Sequence, residues 1–512
     1  MVMRTYGLSG SGMDVDQMVK DLMKARRASY DKVWQKKTQV EWKKQDVNTI
    51  YTLANDFRTK TIADFKKQSN LSPKQVTSTN EAIVSATANA DAANVSHSLV
   101  VQQLADGVKL SSSDSITVSG KKKGTLADQF DGISKDSKFN ININGKTIAI
   151  NGSMTLSDVV SSINKSGADV KANYDITLDR FYLNSNKTGA AATVSFAGTD
   201  AAGLSFLNKL KIAGSPIDGS KPYTGQDAVV TLDGVTLRQS SNTFTVSGVT
   251  YTLKSTSFVD SANNPIPTSI GVQPDIDKTI ANVQSFVDSY NTFVALIQKE
   301  LKEDKYSDFP PLTDAQKANM KDSEIKAWED KAKSGSLRRD PILTQFVSSL
   351  RMSFTEPVKG LTGKYQSVFD IGIGTGKYFD DDGKITTEAN NGGKIYVTES
   401  DLRTALEADP DVVFKMFGTP GDTQGTQGVA NRLYDQVQTT LSRLKTEAGM
   451  PNVTDTTSNM AKSIAGYKDQ LNDMQSRLAQ AEARYYKQFD AMETALNNLG
   501  KQSAWLSQQF GK

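Results

Sequence analysis

Apolar residues recur every seven positions along the last stretch of the chain, at Ile464, Leu471, Leu478, Tyr485, Met492 and Leu499. Met474 and Ala481 sit three positions after members of this row, and Phe489 and Leu496 four positions after. No proline occurs from Asn452 to the C-terminus. An α-helix brings every third or fourth residue to one face, and a narrow row kept over several heptads makes that face a coiled-coil seam. The spacing predicts a long helix made to pack on another helix. The N-terminal region repeats the pattern. Asp14 can cap a helix on which Val15, Met18, Val19, Leu22 and Met23 share a stripe. Val33, Val40, Val47 and Ala54 then recur every seven residues, with Ile50 and Phe57 three positions after two of them. A third run follows Pro274, where Ile280, Val283, Val287, Tyr290, Val294, Ile297 and Leu301 alternate steps of three and four. The terminal and central helices are expected to bundle together.

Between Pro73 and Pro274 the period changes to two. Val95, His97, Leu99 and Val101 alternate with polar residues, as do Phe139, Ile141 and Ile143, which end in the hairpin signal Asn144-Gly145. Thr147–Ile150 continues as a strand, a short helix is expected over Thr155–Asn164, and strands near Asp169–Thr177 and Phe181–Ser185. A further β set lies at Ala228–Leu232, Val235–Leu237, Phe244–Val246 and Val249–Leu253. Glycine and asparagine near Gly120–Gly124 and Gly214–Gly225 suggest a second β module nested in the first. Beyond a charged stretch, Lys302–Lys333, helices are expected near Pro341–Ser353, Glu399–Phe417 and Val429–Ala448. The fold class is therefore multidomain α+β: terminal coiled-coil helices and a helical bundle, with β-rich modules inserted.

Composition narrows the function more than the fold. With 512 residues the chain exceeds a single core. Its formal net charge is +3, from 60 basic and 57 acidic residues, which gives no electrostatic argument for nucleic acid or an anionic membrane. No run approaches the ~18 apolar residues of a membrane span, and the N-terminus lacks the pattern of a cleavable signal peptide. There is no cysteine, so disulfides and Cys-bound metal are excluded. A chain exported unfolded would tolerate that absence well.

Few residue patterns in the chain point to catalytic chemistry. The one histidine, His97, lies on an apolar strand face and reads as a packed residue. No G-x-S-x-G surrounds any serine, and the Gly7–Gly12 leader lacks the Gly-Lys-Ser/Thr ending of a phosphate loop. Asp380-Asp381-Asp382-Gly383 lacks the alternate carboxylates and later Glu of a calcium loop. Trp34, Trp42, Trp328 and Trp505 all fall in helical patterns. Trp505 and Leu506 stand near the end of a polar tail, where large apolar residues call for a partner.

A bare seam does not stabilise itself. Each well-buried Leu, Ile or Met contributes about 1.5–3 kcal/mol, while ordering each backbone residue costs roughly 1–2 kcal/mol. One or two apolar contacts per heptad must offset seven ordered residues. Residues 1–40 and 465–512 are therefore expected to be mobile in the isolated subunit and to order when another helix covers them.

Several stretches together carry a family resemblance. They are Gly7-Leu8-Ser9-Gly10-Ser11-Gly12-Met13-Asp14-Val15-Asp16, the A-T-A-N-A and V-V-Q-Q-L-A of Ala82–Leu104, and Asn140–Gly189. To these add Gly225–Ala228 with Asp233-Gly234 and Ser241-Asn242, the block Pro311–Asp340, and Gln502-Ser503-Ala504-Trp505-Leu506. In this order they resemble the flagellar hook-associated protein 2 family, the cap of the bacterial flagellar filament, over essentially the whole chain. The resemblance implies four divisions: a terminal helical layer (1–40 and 465–512), a helical-bundle leg domain (41–75 and 273–464), a β-rich head domain (76–120 and 225–272), and a second head domain nested in it (121–224). It implies a structural protein without cofactor or metal, exported by the flagellar type III route, escorted by an export chaperone and placed at the tip of the flagellum. Its partners would be flagellin and further copies of itself, a pentamer by default. A host or mucus surface is a candidate contact of the heads, though no residue in Gly120–Gly225 demonstrates it. The partner-binding residues would lie on the terminal seams, at Val15, Val19, Leu22, Val33, Val40 and Val47, and at Ile464, Leu471, Leu478, Tyr485, Met492, Leu499, Trp505 and Leu506. Another flagellar axial protein, such as flagellin or a hook–filament junction protein, and a surface adhesin are the competing readings.

Overall fold

A computed structural model describes residues 14–118, 121–214, 216–375 and 392–511. The Gly7–Gly12 leader and Asp380–Gly383 lie outside the described residues. The chain forms two compact units, residues 1–71 with 276–512 and residues 72–275.

The first unit is helical. Its main elements are α1 (Val15–Asp56), α2 (Ile276–Lys302), α3 (Pro341–Thr355), α4 (Val429–Ala448) and α5 (Asn459–Phe510). Local chemistry sets their ends. Asp14 caps α1 by accepting from the Gln17 amide at 2.9 Å, and Asp340 caps α3 by accepting from Ile342 and Leu343. The apolar run of α2 packs inward: Val283, Val287, Tyr290, Val294 and Ile297 are all buried. It meets the end of α1, where Phe57 stacks on Phe293 at 4.3 Å and Phe65 on Phe286 at 4.0 Å. Between these two phenylalanines the helix loosens into a π-helical turn, Phe57–Ile62. The single helix expected over Glu399–Phe417 is two, Glu399–Ala408 and Val412–Phe417. Pro410 stands at the break, because its ring forbids a continuous helix.

The second unit is two β modules. In the outer one, β1 (Lys74–Ser78), β2 (Val84–Ala88) and β3 (Ser96–Gln103) are followed, after the inserted module, by β4 (Ala228–Leu232), β5 (Val235–Gln239), β6 (Thr243–Val246), β7 (Val249–Leu253) and β8 (Thr268–Pro274). They form a five-stranded sheet in the order β1-β8-β3-β4-β5 and a three-stranded sheet β6-β7-β2. The two hairpin turns use left-handed pairs, Asp233-Gly234 and Ser247-Gly248, which match the twist of the strands they join. The inner module has its own core, which runs from Val108 to Ile217 and includes Phe139, Ile150, Phe181 and Phe206. The hairpin expected at Asn144-Gly145 pairs Phe139 with Ile150 and Ile143 with Lys146. The short helix spans Leu156–Lys165, with Thr155 and Asp158 in a reciprocal capping box.

Three expected boundaries do not coincide with breaks in the structure. The inner module begins near Val108 rather than at residue 121, because Lys109–Ser111 pairs with Arg180–Ser185 inside it. The chain enters and leaves at a bridge between Asp106 and Gln226. The divisions at residues 40 and 464 fall inside the continuous helices α1 and α5.

Candidate functional site: the terminal helix pair

The helices at the two ends of the chain lie against each other, antiparallel. Lys44, late in α1, pairs with Asp455, just before α5, at 2.7 Å. Arg26 donates to the Tyr485 hydroxyl at 2.8 Å, with its guanidinium 5.3 Å from the ring centroid. The Tyr486 hydroxyl donates to Asp16 at 3.0 Å. Advancing along α1 thus means retreating along α5.

The pair is anchored at one end. Val47, Ile50 and Ala54 of α1 enter the main helical core together with Met460 of α5. Lys43 reaches the Asp340 carboxylate at 3.0 Å, and Ser336 donates to Asp46. Burial pushes the Asp46 carboxyl up, and the Ser336 bond offsets only part of this. At the start of α5, Ser458 caps Ala461 and donates in turn to Asp455 at 2.5 Å. The Lys44 ammonium first, then the Ser458 hydroxyl and nearby amides, hold the Asp455 carboxyl well below the usual carboxylate range.

Away from the anchor the packing thins. Val19 is the one buried residue of α1 between Val15 and Lys37. Leu471 and Ala481 are the buried residues of α5 beyond Ala461. Val15, Val33, Val40, Ile464, Leu478 and Tyr485 are half-buried and Leu22 is exposed. The expectation that both seams are bare within the subunit therefore fails over Ile464–Tyr485, which α1 covers. Sequence periodicity identifies an apolar face but not the helix that covers it.

Beyond Tyr486 most side chains of α5 are exposed, although Phe489 is still half-buried. Met492 is 39% exposed, Leu496 41%, Leu499 60%, Leu506 46% and Phe510 81%. These residues follow one another by three, four or seven positions, so they make one stripe. Trp505, also exposed, stands beside it. Large apolar side chains are seldom gathered in one stripe on the solvent-facing side of a helix. Sequence reasoning named most of its residues. It missed Arg26, Lys44, Asp455, Asp16 and Tyr486, which fix the covered half. The one local signal among them was Asp455-x-x-Ser458 ahead of a helix, a capping pattern.

His97, the one histidine, is half-buried on β3, its Nδ1 2.7 Å from the Asp233 carboxylate and its ring edge-on to Tyr251. Among the described residues no group of three or more His, Cys, Asp or Glu is placed to hold a metal ion, and no helix is long and apolar enough to cross a membrane.

A helical body that carries an inserted pair of β modules, and ends in a helix with an uncovered apolar stripe, defines a structural assembly protein. Comparison with known proteins gives the family. The model of the flagellar hook-associated protein 2 C-terminus matches residues 225–501, that of its N-terminus residues 11–107, and the flagellin hook IN motif residues 138–187. The chain belongs to the flagellar hook-associated protein 2 family, and its role is that of a flagellar filament cap protein. It is 28% identical over 559 residues to flagellar hook-associated protein 2 of Halalkalibacterium halodurans, which covers 99% of this chain and 100% of that one. It is 25% identical over 299 residues to the Thermotoga maritima protein of the same name, covering 57% of this chain and 43% of that one. The crystal structure of the D1-D2-D3 domains of the flagellar cap protein FliD from Escherichia coli shares the fold, with a TM-score of 0.53 at 19% identity, over 83% of this chain and 99% of that one.

Proposed function

We propose that this protein caps the distal end of the flagellar filament through its terminal helix pair, and that the uncovered stripe of α5 orders only against helices of other chains. The observation that carries this reading is the exposure of Met492, Leu496, Leu499, Leu506 and Phe510 on a helix whose first half is covered. Of the terminal layer, residues 14–40 and 465–511 act as the mobile part, with the conditional part beginning after Tyr486. The partners are newly arrived flagellin and neighbouring copies in the cap, five by default. Before assembly a flagellar export chaperone holds the chain, which leaves the cell unfolded and without a cleavable signal. The β unit faces the outside at the flagellar tip, where a host or mucus surface is available to it. The role is structural, not enzymatic: the protein holds flagellin at the growing end while it folds into the lattice, and prevents its loss.

The test is complementation of a strain lacking its cap. The full chain is expected to restore filaments and stop flagellin leaking into the medium. A chain truncated after Thr457, which lacks α5, is expected to do neither. Equal performance of the two chains would overturn the role given to the terminal pair.

A further inference from the structure

Between α2 and α3 the chain makes a detour, residues 303–340, that returns across α1. Rings hold its far end. Phe309 meets Trp328, on the helix Asp322–Lys333, edge-on at 4.7 Å, and the Trp328 indole donates to the Pro310 carbonyl at 2.8 Å. The returning end is fastened to the core. Leu337 is buried there, the Arg339 amide donates to the Leu301 carbonyl at 3.1 Å, and Asp340 caps α3.

Four contacts join this segment to α1. Gln35 donates to the Pro311 carbonyl at 3.1 Å, Lys333 lies 5.2 Å from the Trp42 ring centroid, Lys43 pairs with Asp340, and Ser336 donates to Asp46. At about 100° of turn per residue, Gln35, Trp42 and Asp46 share one line along α1. Arg26 and Lys44, which reach Tyr485 and Asp455, lie on the opposite side. Near its anchor α1 is therefore gripped from two sides. Among the described residues, the segment's hydrogen bonds, ion pairs and ring contacts on α1 begin at Gln35.

The grip closes on like charges. Asp46 of α1 faces Glu300 and Glu303, which are one turn apart on α2 and just beyond its end, and all three are half-buried. Glu303 also accepts from the Gly335 amide of the segment at 2.7 Å. The cations at hand are engaged elsewhere: Lys43 on Asp340, Arg338 on Asp304, and Lys333 over Trp42. Burial above all, together with the Glu303 charge, pushes the Asp46 and Glu300 carboxyls up. The Ser336 bond and the Lys333 charge offset part of this at Asp46, and the Lys299 charge part of it at Glu300.

We propose that residues 303–340 are a strap that fixes the base of the terminal arm of α1 near Gln35, and that this strap grips α1 more firmly in mild acid than at neutral pH. A proton on Asp46 removes its repulsion with Glu300 and Glu303 and leaves the Ser336 contact in place. Both folded carboxyls titrate above the unfolded value of about 4, so their contribution is complete below that value and is lost as pH rises through the folded values. The Lys44–Asp455 contact has the opposite sign and changes mainly below about pH 4, so the two effects are separable. The strap works within one subunit and does not depend on the capping role.

Hydrogen exchange on the full chain at pH 5 and pH 7.5, expressed as protection relative to the unfolded rate at each pH, tests this. Residues 35–46 of the natural chain are expected to be about threefold or more better protected at pH 5. Asp46→Asn keeps the shape and an acceptor for Ser336 but carries no charge. At pH 7.5 it is expected to match the protection of the natural chain at pH 5, and to lose most of the pH dependence. Equal protection of the natural chain at the two pH values would overturn the acid response, as would an Asp46→Asn chain less protected than the natural one at pH 7.5. Trp328→Ala loosens the far end of the strap and is expected to cut protection over residues 35–46 by about tenfold while residues 50–54 keep theirs. Unchanged protection over 35–46 would overturn the strap. If Trp328→Ala strips residues 50–54 as well, Gln35→Leu decides, since it removes only the Pro311 bond: a loss confined to the turns around Gln35 supports the strap, and no loss overturns it.

Discussion

The Lys44 ammonium lies 2.7 Å from the Asp455 carboxylate, across more than 400 residues of sequence, with the two side chains 20% and 7% exposed. This contact ties α1 to the turn that launches α5, so it fixes where the covered seam begins. Asp455 also holds Ser458, the cap of α5. Asp455→Asn keeps the shape and removes the charge. Because the folded state holds this carboxyl below its unfolded value, the contact stabilises the protein above the unfolded pKa of about 4 and loses that effect as pH falls towards the folded pKa. At pH 7 the substitution is expected to cost about 2 kcal/mol in urea unfolding. The gap to the natural chain should narrow below about pH 4. A gap that stays constant with pH would mean that the charge is not what holds the turn.

Among the described residues Arg432 is the largest fully buried side chain, and it lies in the helical unit. Its guanidinium donates to backbone carbonyls: Glu356 at 2.6 Å, Pro357 at 2.8 Å and Gly425 at 3.1 Å. Burial pushes its pKa down. It therefore fastens the loop after α3 to the glycine-rich loop before α4. Arg432→Ala leaves those carbonyls unpaired beside a cavity and is expected to cost about 3–5 kcal/mol. Arg432→Lys should recover little of it, since one ammonium cannot reach three divergent acceptors as the planar fork does. Chemical denaturation of both variants checks this. Near-natural stability of Arg432→Lys would show that charge alone suffices.

In the inner β module two glycines have different tasks. Gly145 occupies a left-handed turn, φ 78°, with open space where a side chain would point. Gly203 lies in the helix Ala201–Lys209, and a Cβ there would run into the Asn140 carbonyl. Gly145→Ala is expected to cost about 1 kcal/mol, from backbone strain alone. Gly203→Ala must push the helix off the Phe139–Ile150 hairpin and should cost more, about 1–3 kcal/mol. Thermal unfolding of the β unit ranks them. The reverse order would mean that helix and hairpin separate freely.

Much of this was legible in the sequence because it depends on neighbours in the chain. Asn144-Gly145 and Asp233-Gly234 announce their hairpins, since few residue pairs accept two left-handed conformations. The spacing of Ile464 to Leu499 announces a helix and its face. What was not legible depends on residues far apart. Nothing local marks Lys44 as the partner of Asp455, or α1 as the cover of α5. Arg432 reads as one more surface charge on an amphipathic helix until the carbonyls of Glu356 and Pro357 are seen around it. The start of the inner module was misplaced because Lys109–Ser111 is too short a strand to show a period.

The thin half of the terminal pair should open before the rest of the protein. Between Val15 and Lys37 the pair has one buried residue on α1, Val19, and its outer end is held by the Arg26–Tyr485 and Asp16–Tyr486 contacts. Regions with so few buried contacts exchange through local opening, not through global unfolding. Tyr485→Phe with Tyr486→Phe removes both hydroxyls and leaves the rings. Each lost hydrogen bond is worth about 1 kcal/mol, so amide protection over residues 15–30 and 478–486 is expected to fall by about tenfold or more. Residues 47–54, in the main core, should keep theirs. Ala481→Asp puts a charge into the seam and is expected to abolish protection across the same two segments while sparing Leu471 and the anchor. Hydrogen exchange on the monomer reads all of this directly. Strong protection persisting from Leu471 through Leu499 in the natural monomer would contradict it, because the far half of α5 would then be stable without any partner.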